Sequence, residues 1–330
     1  MPVPLTVGEF IRGATRRMQR ARLRFGHGTH NARDEAVVLA LHVLKLPFES
    51  LRGALGRRLS ASERARLESL LERRIRTRVP APYLTREAWL GAYRFYVDRR
   101  VIVPRSFIAE LLRAGLEPWL PRNVRRALDL CTGSGCLAVL LAKRFPAAQV
   151  DASDLSADAL AVAGRNVARY RLGRRVRLVR SDLFAQLRGR RYDLIVSNPP
   201  YVKAASMRTL PPEYRHEPRA ALAGGADGLN FVRRILGEAH AHLAPGGLLV
   251  CEIGHNRRAL EKAFPSLPFL WLETSAGPEH VFLLEREQLP LTTVTRNTST
   301  RARRPRGARS GAARAPRKSA TPARHPRARA

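Results

Sequence analysis

Cysteine is scarce in this chain. Only Cys131, Cys136 and Cys251 occur in 330 residues, and no two have the two-residue spacing of a metal knuckle. An odd count without that spacing excludes a disulfide framework and a zinc ribbon. No metal site is expected, and the three read as small buried side chains in a reducing compartment. Long apolar runs are also missing. None approaches the roughly 20 residues that a membrane-spanning helix needs, so no membrane partner is expected. The opening Met-Pro-Val-Pro-Leu-Thr lacks a basic region followed by an apolar stretch; no secretory leader is apparent, and a cytoplasmic location is expected. Aromatic residues make up 6%, yet 45% of the chain is hydrophobic, enough for one large domain and a smaller one. Acidic residues are the most telling shortage, 27 against 60 basic, for a formal charge of +33. That imbalance suits work beside a polyanion such as nucleic acid or a ribonucleoprotein. Nearly all the cations are Arg rather than Lys, so a GC-rich coding bias accounts for it equally well.

Three zones follow from the patterning. Residues 1–95 read as a basic helical domain. Ser60 and Glu63 form a capping box ahead of Leu67, Leu70, Leu71 and Ile75 on one helical face, and Asp34 to Leu44 reads as a shorter, more buried helix. With no nucleotide-binding signature, this zone is expected to dock or cover a substrate. Residues 96–287 alternate strands and helices. Strands are expected at 127–130, 149–154, 176–179, 192–197 and 247–252, the last fed by a tight turn at Pro245-Gly246-Gly247. Such alternation predicts an α/β fold, a parallel sheet with helices on both faces. Residues 288–330 hold about a dozen cations and no acid among Pro, Ala, Gly, Ser and Thr. They are expected to form a disordered basic tail, and to touch RNA non-specifically through phosphates.

The chemistry-bearing residues fall at successive strand ends, where open parallel sheets bind ligands. Asp129-Leu130-Cys131-Thr132-Gly133-Ser134-Gly135 closes the first strand. Its glycines allow a sharp turn and a close backbone approach, with helix amides facing the ligand. A dinucleotide site is the rival reading, but Ala138 replaces the third glycine. An acid just before the turn suits the cationic methionine end of S-adenosylmethionine better than a pyrophosphate. Asp154, about twenty residues on, is placed to accept ribose hydroxyls. Asp182 is placed to accept the adenine amine, with Leu183 and Phe184 flanking the ring. The strongest element is Asn198-Pro199-Pro200-Tyr201 after the strand ending at Ser197. Two prolines stiffen the loop and remove donors, leaving carbonyls free. If Asn198 and the Pro199 carbonyl each accept one N–H of a planar NH₂, that nitrogen can be aimed at an activated methyl carbon, with Tyr201 walling or stacking on the acceptor.

These residues, with Gly26-His27-Gly28-Thr29, Val103-Pro104-Arg105-Ser106, Glu213-Tyr214-Arg215-His216-Glu217-Pro218 and Asp227-Gly228-Leu229, make the chain resemble the protein N5-glutamine methyltransferase family over residues 5–287. The likeness is to its PrmB-type branch, which modifies a large-subunit ribosomal protein. The resemblance implies a seven-stranded, Rossmann-like methyltransferase sheet behind a small helical domain that docks the protein substrate. It implies S-adenosylmethionine as cofactor, held by residues 129–135, Asp154, Asp182 and Leu183, and an acceptor amide held by Asn198 and Pro199. Arg105, Glu213 and Glu217 are expected near the substrate. Phe107 departs from the proline usual after Pro-Arg-Ser, which could reshape the pocket rim. The Asn-Pro-Pro-Tyr motif alone leaves open a release-factor glutamine or a nucleic-acid adenine as acceptor, and an idle RNA-binding assembly factor is a further alternative.

Overall fold

In the computed structural model, residues 5–114, 116, 119–120 and 123–291 are described. The helical zone begins with α1 (Val7–Arg20), α2 (Ala32–Leu44), α3 (Leu51–Ala54), α4 (Ala61–Thr77) and α5 (Ala81–Thr85). Capping boxes start two of them, Thr6 with Glu9 for α1 and Ser60 with Glu63 for α4, satisfying amides that a helix start leaves without partners. Val7, Phe10, Leu39, Leu67 and Leu71 are buried here. Most of them join an apolar cluster separate from those of the sheet. A short antiparallel hairpin of β1 (Glu87–Leu90) and β2 (Tyr93–Tyr96) follows.

The rest is α6 (Ile108–Ala114), β3 (Arg126–Leu130), α7 (Cys136–Arg144), β4 (Gln149–Asp154), α8 (Ala157–Arg169), β5 (Val176–Arg180), β6 (Tyr192–Ser197), α9 (Ala204–Thr209), α10 (Asn230–His242), β7 (Leu243–Glu252), α11 (Arg257–Ala263), β8 (Leu270–Leu272) and β9 (Val281–Glu285). Seven strands form one sheet in the order β5-β4-β3-β6-β7-β9-β8. The first five are parallel, and β9 runs antiparallel between β7 and β8. Side chains alternate between faces with period two. Ala127, Leu194, Val196, Leu248 and Val250 enter the apolar layer beneath α6 and α7, while Leu128, Ile195, Leu249 and Cys251 enter the layer beneath α10. Both faces are covered, which is why these strands are nearly continuous apolar runs.

Two boundaries differ from the sequence reading. The strand β7 starts at Leu243 rather than Gly247. Pro245-Gly246-Gly247 is an irregularity within it, where pairing with β6 jumps from Tyr192↔Leu243 to Leu194↔Leu248. Gly247 passes so close to the Ala244 and Tyr192 carbonyls that a Cβ would stand 2.8 and 2.9 Å from their oxygens. A packed backbone, not an exposed turn, demands glycine there. Leu289 is buried in the α10 layer, two residues past the expected domain end at Glu287. The remainder of the basic tail, residues 292–330, lies outside the described residues. Among the described residues, no helix is long and apolar enough to cross a membrane.

Candidate active site

The sheet order reverses between β3 and β6. From β3 the chain steps outward through β4 and β5, then returns to place β6 on the other side of β3. The loops after these two strands therefore diverge and open a crevice at their carboxyl ends. Register aligns the two loops. Leu130 pairs with Ser153 of β4 and with Ser197 of β6, so Cys131, Asp154 and Asn198 follow at one level. Ser197 Oγ clamps the two central strands by donating to the Leu130 carbonyl at 2.8 Å.

Asp129 is fully buried. Its Oδ2 accepts from the Thr132 hydroxyl and, at 2.9 Å, from the Ala138 amide in the first turn of α7. That amide would otherwise lack a partner. The Ala138 that breaks the dinucleotide pattern is thus where the carboxylate anchors the helix. Asp129 Oδ1 is buried without a partner. Burial pushes the carboxyl up to about 7. Gly133 and Gly135 have φ of +54° and +77°, and Cys131 between strand and turn has φ +65°. Asp154 binds this turn with Oδ2, accepting from Gly133 N, while Oδ1 accepts from Ser156 N at the start of α8, at 2.9 Å each. Burial raises its pKa. Thr132 and Ser134 are buried, and Asn166 of α8 ties the Ser134 carbonyl to the hairpin through Tyr96. Asp182 is exposed and paired with Arg234 of α10 at 2.9 Å. Leu183 is buried at φ +46°. Phe184 does not flank a ligand ring. It is 1% exposed and stacked on His242 at 4.5 Å, so it belongs to the core under α10.

Asn198 is half-buried at the mouth of the crevice, and Pro199 is buried behind it. Among the described residues, neither the Asn198 side chain nor the Pro199 carbonyl takes part in a hydrogen bond. Pro200 is half-buried, and Tyr201 is held from several sides. Its hydroxyl donates to Glu252 at 3.2 Å, and its carbonyl accepts from Asn256 at 2.9 Å. Its ring lies where a Cβ on Gly254 would be 2.6 Å away. Burial and the neighbouring Glu252 push the phenol up, so the hydroxyl remains a donor.

Arg105 reaches Glu217 through two parallel bonds of 2.6 and 2.7 Å, the bidentate geometry that makes such pairs strong. Burial opposes ionisation of Glu217, but the Arg105 guanidinium wins and holds it at about 2. Glu217 also accepts from Val103 N, and His27 lies 3.7 Å away. Glu213 is fully buried and faces the helical domain, accepting from Arg24 N and from Arg78 at 3.0 Å each. Arg74 of α4, also fully buried, bonds Glu35 at 2.6 Å and stands 3.8 Å from Glu213. Helical periodicity puts Arg74 on the face of Leu67, Leu70 and Leu71, but its charge argued against burial; its partners, like the place of Glu252 in the site, are distant in sequence. Gly26 explains its motif, since a Cβ there would stand 2.5 Å from the Tyr214 hydroxyl. A cavity of about 1800 Å³ opens in the helical zone, lined by His27, Val37, Leu41, Leu70, Pro82 and Trp89 among others. It includes none of the strand-end residues.

Residues 110–210 match the methyltransferase small domain family, and residues 16–85 the PrmC N-terminal domain family. The ribosomal protein uL3 glutamine methyltransferase of Bordetella pertussis is 56% identical over 286 residues, covering 86% of this chain and 96% of its own. That of Neisseria meningitidis serogroup B is 55% identical, covering 86% and 94%. The enzyme of the same name from Burkholderia pseudomallei is 54% identical over 299 residues, covering 88% and 97%.

Proposed function

The chain belongs to the ribosomal protein uL3 glutamine methyltransferases, and from that premise we propose that its Asn198-Pro199-Pro200-Tyr201 corner grips the acceptor carboxamide. The reaction is methylation of a glutamine side-chain amide in ribosomal protein uL3. S-adenosylmethionine, when bound, supplies the methyl group as an electrophilic carbon on a sulfonium. The residues fit that molecule. Asp129 Oδ1 is a buried acceptor with no partner, suited to the amino end, and a Cβ on Gly133 would meet nothing within 4 Å, so the turn borders open space. Residues 129–135, including Cys131 and Ser134, would hold the methionine end, Asp154 the ribose, and Asp182 with Leu183 the adenine.

An amide nitrogen is a weak nucleophile because its lone pair is delocalised into the carbonyl. The Asn198 side-chain oxygen and the Pro199 carbonyl each accept one N–H of the glutamine, which fixes the NH₂ plane and aims its out-of-plane lone pair at the methyl carbon. Orientation then supplies the rate with no strong base required, and the extra N–H proton leaves to water once the nitrogen has been methylated. The carrying observation is the pair of unengaged oxygens at Asn198 and Pro199, beside a loop otherwise pinned in place. Arg105 and Glu217 border this corner as a rigid pair. Glu213 supports it by tying the 212–216 turn to the helical domain. We assign residues 1–95 to docking of the protein substrate, with the α2–α4 cavity as the surface. His27 lines that cavity and also abuts Glu217, which connects docking to the amide corner. Contact with RNA through the basic tail, within an assembling particle, is the accompanying proposal.

Replacing Asn198 with Ala should cut methyl transfer to uL3 by about 100-fold or more while leaving cofactor affinity within about threefold. Transfer of label from the cofactor and calorimetric binding measure the two. Loss of cofactor binding with transfer per bound cofactor intact would move Asn198 from the acceptor to the cofactor site.

A further inference from the structure

Glu252 ends β7 and is 1% exposed, yet it is not paired with any cation at salt-bridge distance among the described residues. Its partners are three neutral donors from two other segments. Oε2 accepts from Ser106 Oγ at 2.6 Å and Phe107 N at 3.0 Å, and Oε1 accepts from the Tyr201 hydroxyl at 3.2 Å. The pairing of Ser197 with Cys251 brings Glu252 to the level of Asn198 on the adjacent strand. An ionised carboxyl is expensive to bury. An apolar residue would seal this strand end more cheaply if sealing were its only task.

What Glu252 joins is informative. Residues 103–107 form a strap held from one side by Glu217, through Arg105 and Val103 N, and from the other by Glu252, through Ser106 and Phe107 N. The backbone of Tyr201 is tied independently by Asn256. Among the described residues, the far end of its ring has only Glu252 as a hydrogen-bond partner. One carboxylate therefore sets both the tilt of the Tyr201 ring and the height of the strap beside it.

We propose that Glu252 is the positioning residue of the acceptor pocket, locking the Tyr201 ring to the Ser106–Phe107 strap so that the carboxamide held at Asn198 keeps one orientation. This rests on the amide-gripping role of the Asn198 corner. Its effect belongs in kcat, because misorientation of a bound acceptor slows transfer without weakening docking or cofactor binding.

The isosteric Glu252→Gln keeps volume but replaces one acceptor oxygen by a donor. It should lower kcat by about tenfold or more, with KM for uL3 and cofactor Kd within about threefold of the parent. Tyr201→Phe and Ser106→Ala remove one donor each and do not depend on tolerance of a new amide in the core. These two side chains make no hydrogen bond to each other, yet their effects on kcat should couple by about threefold or more, and the coupling should vanish in the Glu252→Gln background. Independent, multiplicative effects, or a Glu252→Gln enzyme with unchanged kcat, overturn the proposal. Running Asn198→Ala alongside separates the two readings. Full activity in Asn198→Ala overturns both, whereas an inactive Asn198→Ala with uncoupled Tyr201 and Ser106 overturns only the role of Glu252.

Discussion

Asp129 divides its two oxygens between the fold and the role proposed for it at the cofactor. Its Oδ2 anchors the first turn of α7, and its Oδ1 is left with no protein donor. Its ordinary value is 3.8 and burial lifts it to about 7 in the folded chain. Between those values the native state holds a proton that the unfolded state has released. Its stabilising contribution is therefore complete below about pH 4 and is lost as pH climbs through 7, a swing of about 4 kcal/mol at most. On the proposed role at the cofactor, affinity should run the other way, because only the carboxylate attracts an ammonium group. Without cofactor, the unfolding midpoint of the parent should fall between pH 5 and 8 more steeply than that of Asp129→Asn. Cofactor affinity should rise over the same range in the parent and stay low and flat in the variant. Calorimetric titration and thermal unfolding across that range test both. Parallel pH slopes for the two proteins would remove Asp129 from the cofactor site.

At the scale of elements, the turn between β3 and α7 separates two uses of glycine. Gly135 caps α7 at φ +77°, and an added Cβ would sit 2.9 Å from the Ala163 Cβ and 3.1 Å from its Cα on α8. Gly133 has φ +54° with open space around it. Gly135→Ala should cost about 2–4 kcal/mol, from backbone strain plus displacement of α8. Gly133→Ala should cost only about 1 kcal/mol but weaken cofactor binding, since its methyl group enters the crevice. Denaturant unfolding paired with binding assays distinguishes them, and equal stability losses would refute the packing argument. The strands were readable because both faces are buried and their apolar runs end at Gly, Asp or Asn-Pro. The start of β7 was not readable, since Pro-Gly-Gly signals a turn locally while sheet pairing carries the backbone through it.

On the scale of the whole molecule, the charge of +33 divides between a folded part, where guanidiniums such as Arg74, Arg78 and Arg105 are consumed in internal pairs, and a tail rich in cations with no acid. Arg78, with Arg74 behind it, joins the helical zone to Glu213, and Arg105 joins the 103–107 strap to Glu217. Breaking one side of such a buried pair costs about 3–5 kcal/mol, whereas replacing the whole set with apolar residues can be neutral, so these ions secure registration more than stability. The tail, by its composition, would act on the proposed RNA partner through counterion release. Removing residues 292–330 should weaken binding to ribosomal RNA much more at 50 mM than at 200 mM salt, by about tenfold or more at the lower, and leave transfer to isolated uL3 nearly unchanged. Filter binding at the two salt levels reads this. No loss at either would make the tail irrelevant to RNA, and equal losses at both would rule out counterion release.

Local chemistry alone determined the alternation of strands and helices, the glycine turn after β3 and the proline-stiffened Asn198 loop, because each is encoded by periodicity or by a residue whose backbone preference survives out of context. Phe184 looked like a ligand contact from its position after Asp182, and only the packing of α10 on the sheet showed it turned inward onto His242. The pairing of Arg74 with Glu35 and the convergence of Ser106, Tyr201 and Glu252 were likewise decided by tertiary structure. Their partners are separated by tens to over a hundred residues, and no spacing rule reaches that far. The fold brings Ser106, Tyr201 and Glu252 together at the carboxyl ends of the central strands and Arg74 against Glu35 in the helical zone, and low-dielectric burial strengthens these charges and hydrogen bonds.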